Sequence, residues 1–267
     1  QNGRLPLHGA LRFQHGDEVV LSLLRRHPEA VNSHCRGDTA IGLAMQYGAS
    51  MDVFQALLKA AGTHVDVREC LRNVSDPAHM SALVQTDPDA LLYAADDRET
   101  NLEFLITRGA VKLEVFQAAM DTFPPESAAD NTRHGLLQGT DTYDNSFDLL
   151  PLHCAVSKGS ECTLDKLLIL LERFPSEAAA WDENDCLPLH LAAACGWGVV
   201  RSLPGFQLAS ISSAGGDGVS AGIHAKAISA LLASYPGAAR ERGGEGRLLP
   251  LALAVRAHAP TAVVQEL

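Results

Sequence analysis

The chain has 267 residues, a formal net charge of −11, 46% hydrophobic residues and only 5% aromatic ones. A surplus of acid excludes a sequence-independent grip on a phosphate backbone, which needs concentrated Lys and Arg, so no nucleic-acid partner is expected and a basic or neutral protein is. No run of 18 apolar residues occurs, and the opening QNGRLPLH has neither the charged nor the apolar region of a signal peptide, so the sequence is expected neither to span a membrane nor to direct secretion.

Taken in order, the chain repeats itself. LPLHGALRF at Leu5 is followed by DEVVLSLLRR, in which Val20, Leu23 and Leu24 share a helical face, and by HPEA at His27 to Ala30. A weaker copy, TAIGLAMQYG, starts at Thr39, 34 residues on, and leads into MDVFQALLKA, with Val53, Leu57 and Leu58 expected in the core. A degenerate third repeat offers VDVRECLRNV from Val65 as a first helix and ends in HMSALVQTDPDALL. The fourth reads TNLEFLITRG from Thr100, then LEVFQAAMDTFPPESA. A polar stretch near 126–149 lacks any sustained period and reads as an insertion. LPLHCAVSKG at Leu150 resumes the pattern, with TLDKLLILLERFPSEA as a second helix apolar on more than one face. LPLHLAAACG at Leu187 precedes a second insertion near 200–223, after which come HAKAISALLASYPGAA and LPLALAVRA at Leu249.

Each residue of LPLHLAAACG has a physical task. Pro188 suits the first turn of a helix, where its missing N–H costs nothing. Leu187 and Leu189 anchor it in apolar surroundings, and the His190 ring can bond to the backbone of an adjoining turn. Ala192, Ala193 and Ala194 allow close approach of a second helix, and Gly196 supplies a left-handed stop. Gly48, Gly109 and Gly159 stand at the same place, nine residues after a motif start.

The motif resembles the ankyrin repeat, whose signature opens Thr-Pro-Leu-His with a period near 33. Here Leu replaces the Thr, so a hydroxyl cap worth about 1 kcal/mol is given up and the family's hydroxyl-to-histidine network is not expected. The resemblance implies an all-α ankyrin-repeat solenoid of about seven helix pairs with turn fingers and two loop insertions. Residues 1–267 read as a single array that is part of a longer chain, on the order of 70 Å long at the usual interhelical spacing.

The six cysteines contain no CxxC pair and read as reduced thiols of an intracellular protein, in the cytoplasm or an organelle. Cys186, His190 and Cys195, and His153 beside Cys154, are better explained as repeat residues than as zinc ligands, so no metal or other cofactor is expected. Gly218, Ser220 and Gly222 fit G-x-S-x-G, but the preceding SSAGGDG cannot be a buried strand, so the stretch reads as a flexible linker and no catalytic residue is assigned. GGEG at 243–246 reads as a hairpin turn between repeats, and Asp182, Glu183 and Asp185 as a solvent-exposed acidic tip on the corresponding turn.

The expected function is non-enzymatic protein binding along a concave face and the turn tips, with His34, Arg36, Asp182, Glu183, Asp185, Glu241, Arg242 and Glu245 as candidate contact residues. Two alternatives stay open: an accessory subunit of a large, membrane-associated assembly, or the regulatory array of a longer enzyme or channel.

Overall fold

A computed structural model describes residues 5–35, 38–62, 70–92, 100–123, 150–157, 162–182, 184–194, 217–244 and 246–267, and of Leu92 and 217–221 the backbone alone. The helices are α1 (Pro6–Arg12), α2 (Asp17–Arg26), α3 (Ala40–Gln46), α4 (Met51–Ala61), α5 (Pro77–Thr86), α6 (Asn101–Thr107), α7 (Leu113–Thr122), α8 (Pro151–Ser157), α9 (Leu164–Arg173), α10 (Pro188–Ala194), α11 (Asp217–Ser234), α12 (Pro250–Arg256) and α13 (Thr261–Glu266). No strand forms among the described residues. Isolated antiparallel bridges, among them Cys35 with Asp38 and Gly243 with Leu248, mark turns between repeats.

The sequence accounts for the helix starts. Each proline of the LPLH-type motif is the first residue of its helix, in α1, α8, α10 and α12. Leu5 and Leu249 precede α1 and α12 without any side-chain cap, as the loss of the hydroxyl requires. Thr39 keeps it, its Oγ1 accepting from the Gly42 N–H at 3.0 Å. Ser50, Asp76 and Thr163 cap α4, α5 and α9 in the same way.

The stop nine residues after the motif start is a backbone conformation before it is a residue type. Gly48 has φ 67°, and at the same place Gln14 has φ 52° and His258 φ 54°. Two side-chain-bearing residues therefore adopt the left-handed region where glycine was the sequence signal. The X-Pro ending recurs as a short 3-10 helix: Pro28–Asn32, Pro88–Leu92, Pro175–Ala179 and Pro236–Arg240.

The contacts divide the chain into two compact units. The first comprises residues 1–101 with 111–124, the second 102–110 with 125–267. In the first, α1 packs on α3, α2 on α4, α4 on α5, and α5 on α7. Its core includes Leu7, Val20, Val53, Phe54, Leu57, Met80, Leu83 and Phe116. In the second, the first helices stack in the order α8, α10, α12 and the second helices in the order α9, α11, α13. Leu152, Leu167, Leu170, Leu189, Ala192, Ile228 and Leu231 fill the space between them.

Three expectations need correction. α11 begins at Asp217, so the last residues of the supposed second insertion, 217–223, and the G-x-S-x-G stretch are helix rather than linker. Gly218, Ser220 and Gly222 are poor helix formers, which hid it, but His224, Ala227, Ile228 and Leu231 are buried at helical spacing and the helix extends N-terminally from them. Ser220 therefore lies on a continuous helix, not on the strand-to-helix elbow a hydrolase needs. Second, the leucines on the several faces of α9 are not all buried: Leu168 is exposed, and the surprise on the buried face is Lys166. The third, at Asp182, concerns the turn tips. Residues 65–69, the insertion near 126–149, and Gly159, Cys195 and Gly196 lie outside the described residues.

Candidate functional site

The most constructed surface of the second unit is a pair of stacked turns, 181–187 before α10 and 241–248 before α12. In the first turn, the Asp182 N–H donates to the Cys186 carbonyl at 2.9 Å and the Asp185 N–H to the Asp182 carbonyl at 3.1 Å. The Asp182 carboxylate oxygen Oδ1 accepts from the Asn184 N–H at 2.9 Å and the Cys186 N–H at 2.7 Å. An aspartate that satisfies two backbone donors is an Asx turn, which explains why this acidic residue sits here. Asp182 is accordingly half-buried and part of the turn's framework, not the freely solvated tip its charge suggested.

The second turn is a hairpin, as GGEG predicts, with paired Gly243 and Leu248 backbone bonds at 3.0 Å. The two turns are tied by the Gly244 N–H donating to the Asp185 carbonyl at 2.8 Å. A Cβ on Gly243 would lie 2.6 Å from the Asp185 carbonyl oxygen and 2.9 Å from the His190 ring, so only glycine lets the turns approach this closely.

The motif histidines stitch turns to helices. His190 Nδ1 accepts from the Leu187 N–H at 3.1 Å, and Nε2 reaches the Glu241 carbonyl at 3.1 Å. A carbonyl only accepts, so the proton is on Nε2 and the ring is neutral. His153 Nε2 donates to the Cys186 carbonyl at 3.1 Å and His224 Nε2 to the Ala192 carbonyl at 2.7 Å. In the first unit His8 Nε2 donates to the Ser33 carbonyl at 2.9 Å. Burial holds all four imidazoles below the ordinary histidine pKa, against the pull of these backbone bonds. The sequence expectation for His190 is met, with the Leu187 N–H taking the place of the missing hydroxyl.

Of the candidate contact residues, the structure brings Asp182, Asp185, Glu241 and Arg242 together on the two stacked turns. Asp185 and Arg242 are exposed; Glu241 is half-buried. His34 is exposed just before the Cys35–Asp38 bridge of the first unit. Arg36, Glu183 and Glu245 lie outside the described residues. Sequence reasoning missed Trp181, which is 44% exposed at the base of the first turn with its ring 5.8 Å from that of His190. Its position next to the acidic cluster was the available signal, since aromatic side chains anchor interfaces.

Two further buried ionisable side chains are structural. Lys166 Nζ donates to the Leu105 carbonyl at 2.7 Å and the Arg108 carbonyl at 3.0 Å, closing the C-terminal end of α6, and burial lowers its pKa. Glu177 stands where the other three 3-10 endings carry Ala30, Ala90 and Ala238, and its Oε2 accepts from the Leu152 N–H at the start of α8 at 3.0 Å. Burial pushes Glu177 up to about 7, against the pull of that N–H. Cys162 is pushed up to about 12 by burial, so it is no thiolate nucleophile at neutral pH.

Cys35, Cys70, Cys154, Cys162 and Cys186 are all buried and form no disulfide with one another. Among the described residues no group of three His, Cys, Asp or Glu is placed to hold a metal ion, and no helix is long and apolar enough to cross a membrane. A cavity of about 290 Å³ in the first unit is lined among others by Gln14, His15, Asp17, Tyr47 and Ser50.

No family model matches the chain. No curated protein matches it either. Among solved structures, the ankyrin repeat domain of Bcl-3, described as a unique member of the IkappaB protein family, is similar over 100% of this chain and 99% of its own, with a TM-score of 0.54 at 14% sequence identity. Helix pairs that open on Leu-Pro-Leu-His, histidines tied to neighbouring turns, left-handed stops and hairpin tips agree with that likeness: the fold of this chain is the ankyrin-repeat fold.

Proposed function

We propose that this chain is a non-enzymatic protein-binding module, an adaptor or scaffold, and that it binds through the stacked turns at 181–187 and 241–248. The carrying observation is their construction. Their backbones are fixed by the Asp182 carboxylate, the Gly243 and Gly244 bonds and His190, while Asp185, Arg242 and much of Trp181 project into solvent. Exposed charges and an aromatic on a preorganised frame spend little ordering entropy on binding. Burial narrows the surface. Residues 151–156 of α8 and 188–193 of α10 are buried throughout, so the first helices of these repeats offer a partner almost nothing and the turn tips carry the recognition.

The test is affinity capture with quantitative mass spectrometry, comparing wild type with an Asp185→Asn/Arg242→Glu double variant at low and high salt. Asn tolerates the left-handed backbone of Asp185, φ 54°, so the first change removes charge without strain. The proposal expects a partner that is recovered with wild type and depleted about tenfold or more by a variant of unchanged melting temperature. Loss of the partner at high salt marks an adaptor with electrostatic contacts; retention marks a fixed subunit. Equal recovery by both baits would remove these turns from the interface.

A further inference from the structure

The hairpin before α12 concentrates cations in a chain of net charge −11. Three of the chain's 21 Lys and Arg residues, Arg240, Arg242 and Arg247, fall within 240–247, and all three are exposed. Among the described residues none of their guanidinium groups has a hydrogen-bond or ion-pair partner. The acids of the two turns leave them free: Asp182 Oδ1 is taken up by two backbone N–H groups of its own turn, and neither Asp185 nor Glu241 pairs with an arginine. The backbone adds a second observation. The turn uses glycine at two left-handed positions, Gly244 with φ 68° and Gly246 with φ 93°, yet places Arg247 at φ 47° in a third. An arginine there carries strain that glycine would not, and such strain collects where a side chain has to be presented.

We infer that this hairpin receives an acidic segment of the partner protein, whose Asp or Glu carboxylates are bound by Arg240, Arg242 and Arg247, a reading that rests on the stacked turns being the interface. A guanidinium offers a carboxylate two parallel N–H donors, which makes Arg the side chain suited to it. The hairpin is already fixed by the Gly243–Leu248 bonds and by the Gly244 N–H on the Asp185 carbonyl, so binding orders little further backbone. Asp185, exposed on the neighbouring turn, repels the same carboxylates and confines them to the hairpin side. The overall charge favours a basic or neutral partner, but an interface answers to the charge it presents locally. A nucleic-acid strand, by contrast, meets the whole acidic surplus of the chain.

The probes are a short peptide of alternating Glu and Gly and its Lys–Gly counterpart, titrated at low salt into the isotope-labelled chain. Nuclear magnetic resonance shifts of the arginine Nε–H groups, the Trp181 indole N–H and the turn amides are the readout. The Glu peptide is expected to move the Arg240, Arg242 and Arg247 signals, and an Arg240→Gln/Arg242→Gln/Arg247→Gln variant to weaken its binding about tenfold or more. All three sites are exposed and unpaired, so the melting temperature should hold. Asp185→Asn, which tolerates the left-handed backbone, is expected to tighten binding about twofold by removing a like charge. Binding that survives the triple variant overturns the inference, as does loosening by Asp185→Asn. Preference for the Lys peptide at the same turns also overturns it, while leaving the turns as the interface. Absence of shifts at the turns with either peptide overturns it too, and affinity capture then decides the interface separately. Tighter, arginine-dependent binding of single-stranded oligouridylate would assign the hairpin to nucleic acid instead.

Discussion

Glu177 makes the sharpest energetic prediction. Its carboxyl is almost fully buried and its pKa is raised from 4.5 to about 7 by desolvation, which outweighs the Leu152 N–H that favours the charged form. At about 1.4 kcal/mol per pH unit between the two values, ionising this group costs the folded chain about 3 kcal/mol. The folded state holds a proton that the unfolded state has released between pH 4.5 and 7. Stability from this group is therefore fully present below 4.5 and is lost as pH rises through 7. The four buried histidines run the other way, losing stability as pH falls below 6.5, so the wild-type profile alone is ambiguous. Glu177→Gln separates them, since Gln can still accept from the Leu152 N–H and the histidines are common to both proteins. Urea unfolding followed by far-UV circular dichroism should show the variant gaining about 3 kcal/mol on the wild type between pH 4.5 and 8. A difference independent of pH would refute the reasoning. The carboxylate would then be ionised throughout, held by the Leu152 N–H and the positive end of α8.

Leu189→Ala removes methylenes from a fully buried site between α10 and its neighbours and should cost about 2 to 5 kcal/mol, with the loss of protection spreading to α12 in hydrogen exchange. Asp182→Ala leaves the Asn184 and Cys186 N–H groups without their acceptor and should cost about 1 to 3 kcal/mol, whereas Asp185→Asn should leave the urea midpoint unchanged; equal effects would contradict the division into frame and tip. His258→Gly relieves a left-handed backbone and should raise stability by about 1 kcal/mol, and a fall in the urea midpoint would show that the imidazole makes compensating contacts.

Much of the architecture was legible because the motif residues act locally. Proline at the first helical position, alanine at the close approach and histidine aimed at the next turn each follow from short-range chemistry, and all three appear in α8 and α10. Leu189, the third motif residue, was readable as core for the same reason. What sequence hid depended on tertiary context. Nothing in LDKLL marks Lys166 as the residue whose ammonium closes α6, because its partners at Leu105 and Arg108 are some sixty residues away in the chain. Asp182 was misread because a carboxylate that completes an Asx turn and one that faces water have the same letter. The helical start of α11 was masked by glycines whose low propensity was overridden by packing further along the helix. At the turn tips, the sequence pointed to charged residues of both signs; the exposed Trp181 and the glycine-enforced approach at Gly243 became visible only once the turns were stacked.

The most direct test of the binding proposal is hydroxyl-radical footprinting of the chain alone and with its captured partner, read at Trp181, Phe13 and Val255, three exposed and oxidisable side chains. If the stacked turns are the interface, partner binding should lower oxidation of Trp181 several-fold and leave Phe13 and Val255 as reactive as before. Full reactivity of Trp181 in the complex, with protection elsewhere, would contradict recognition by these turns.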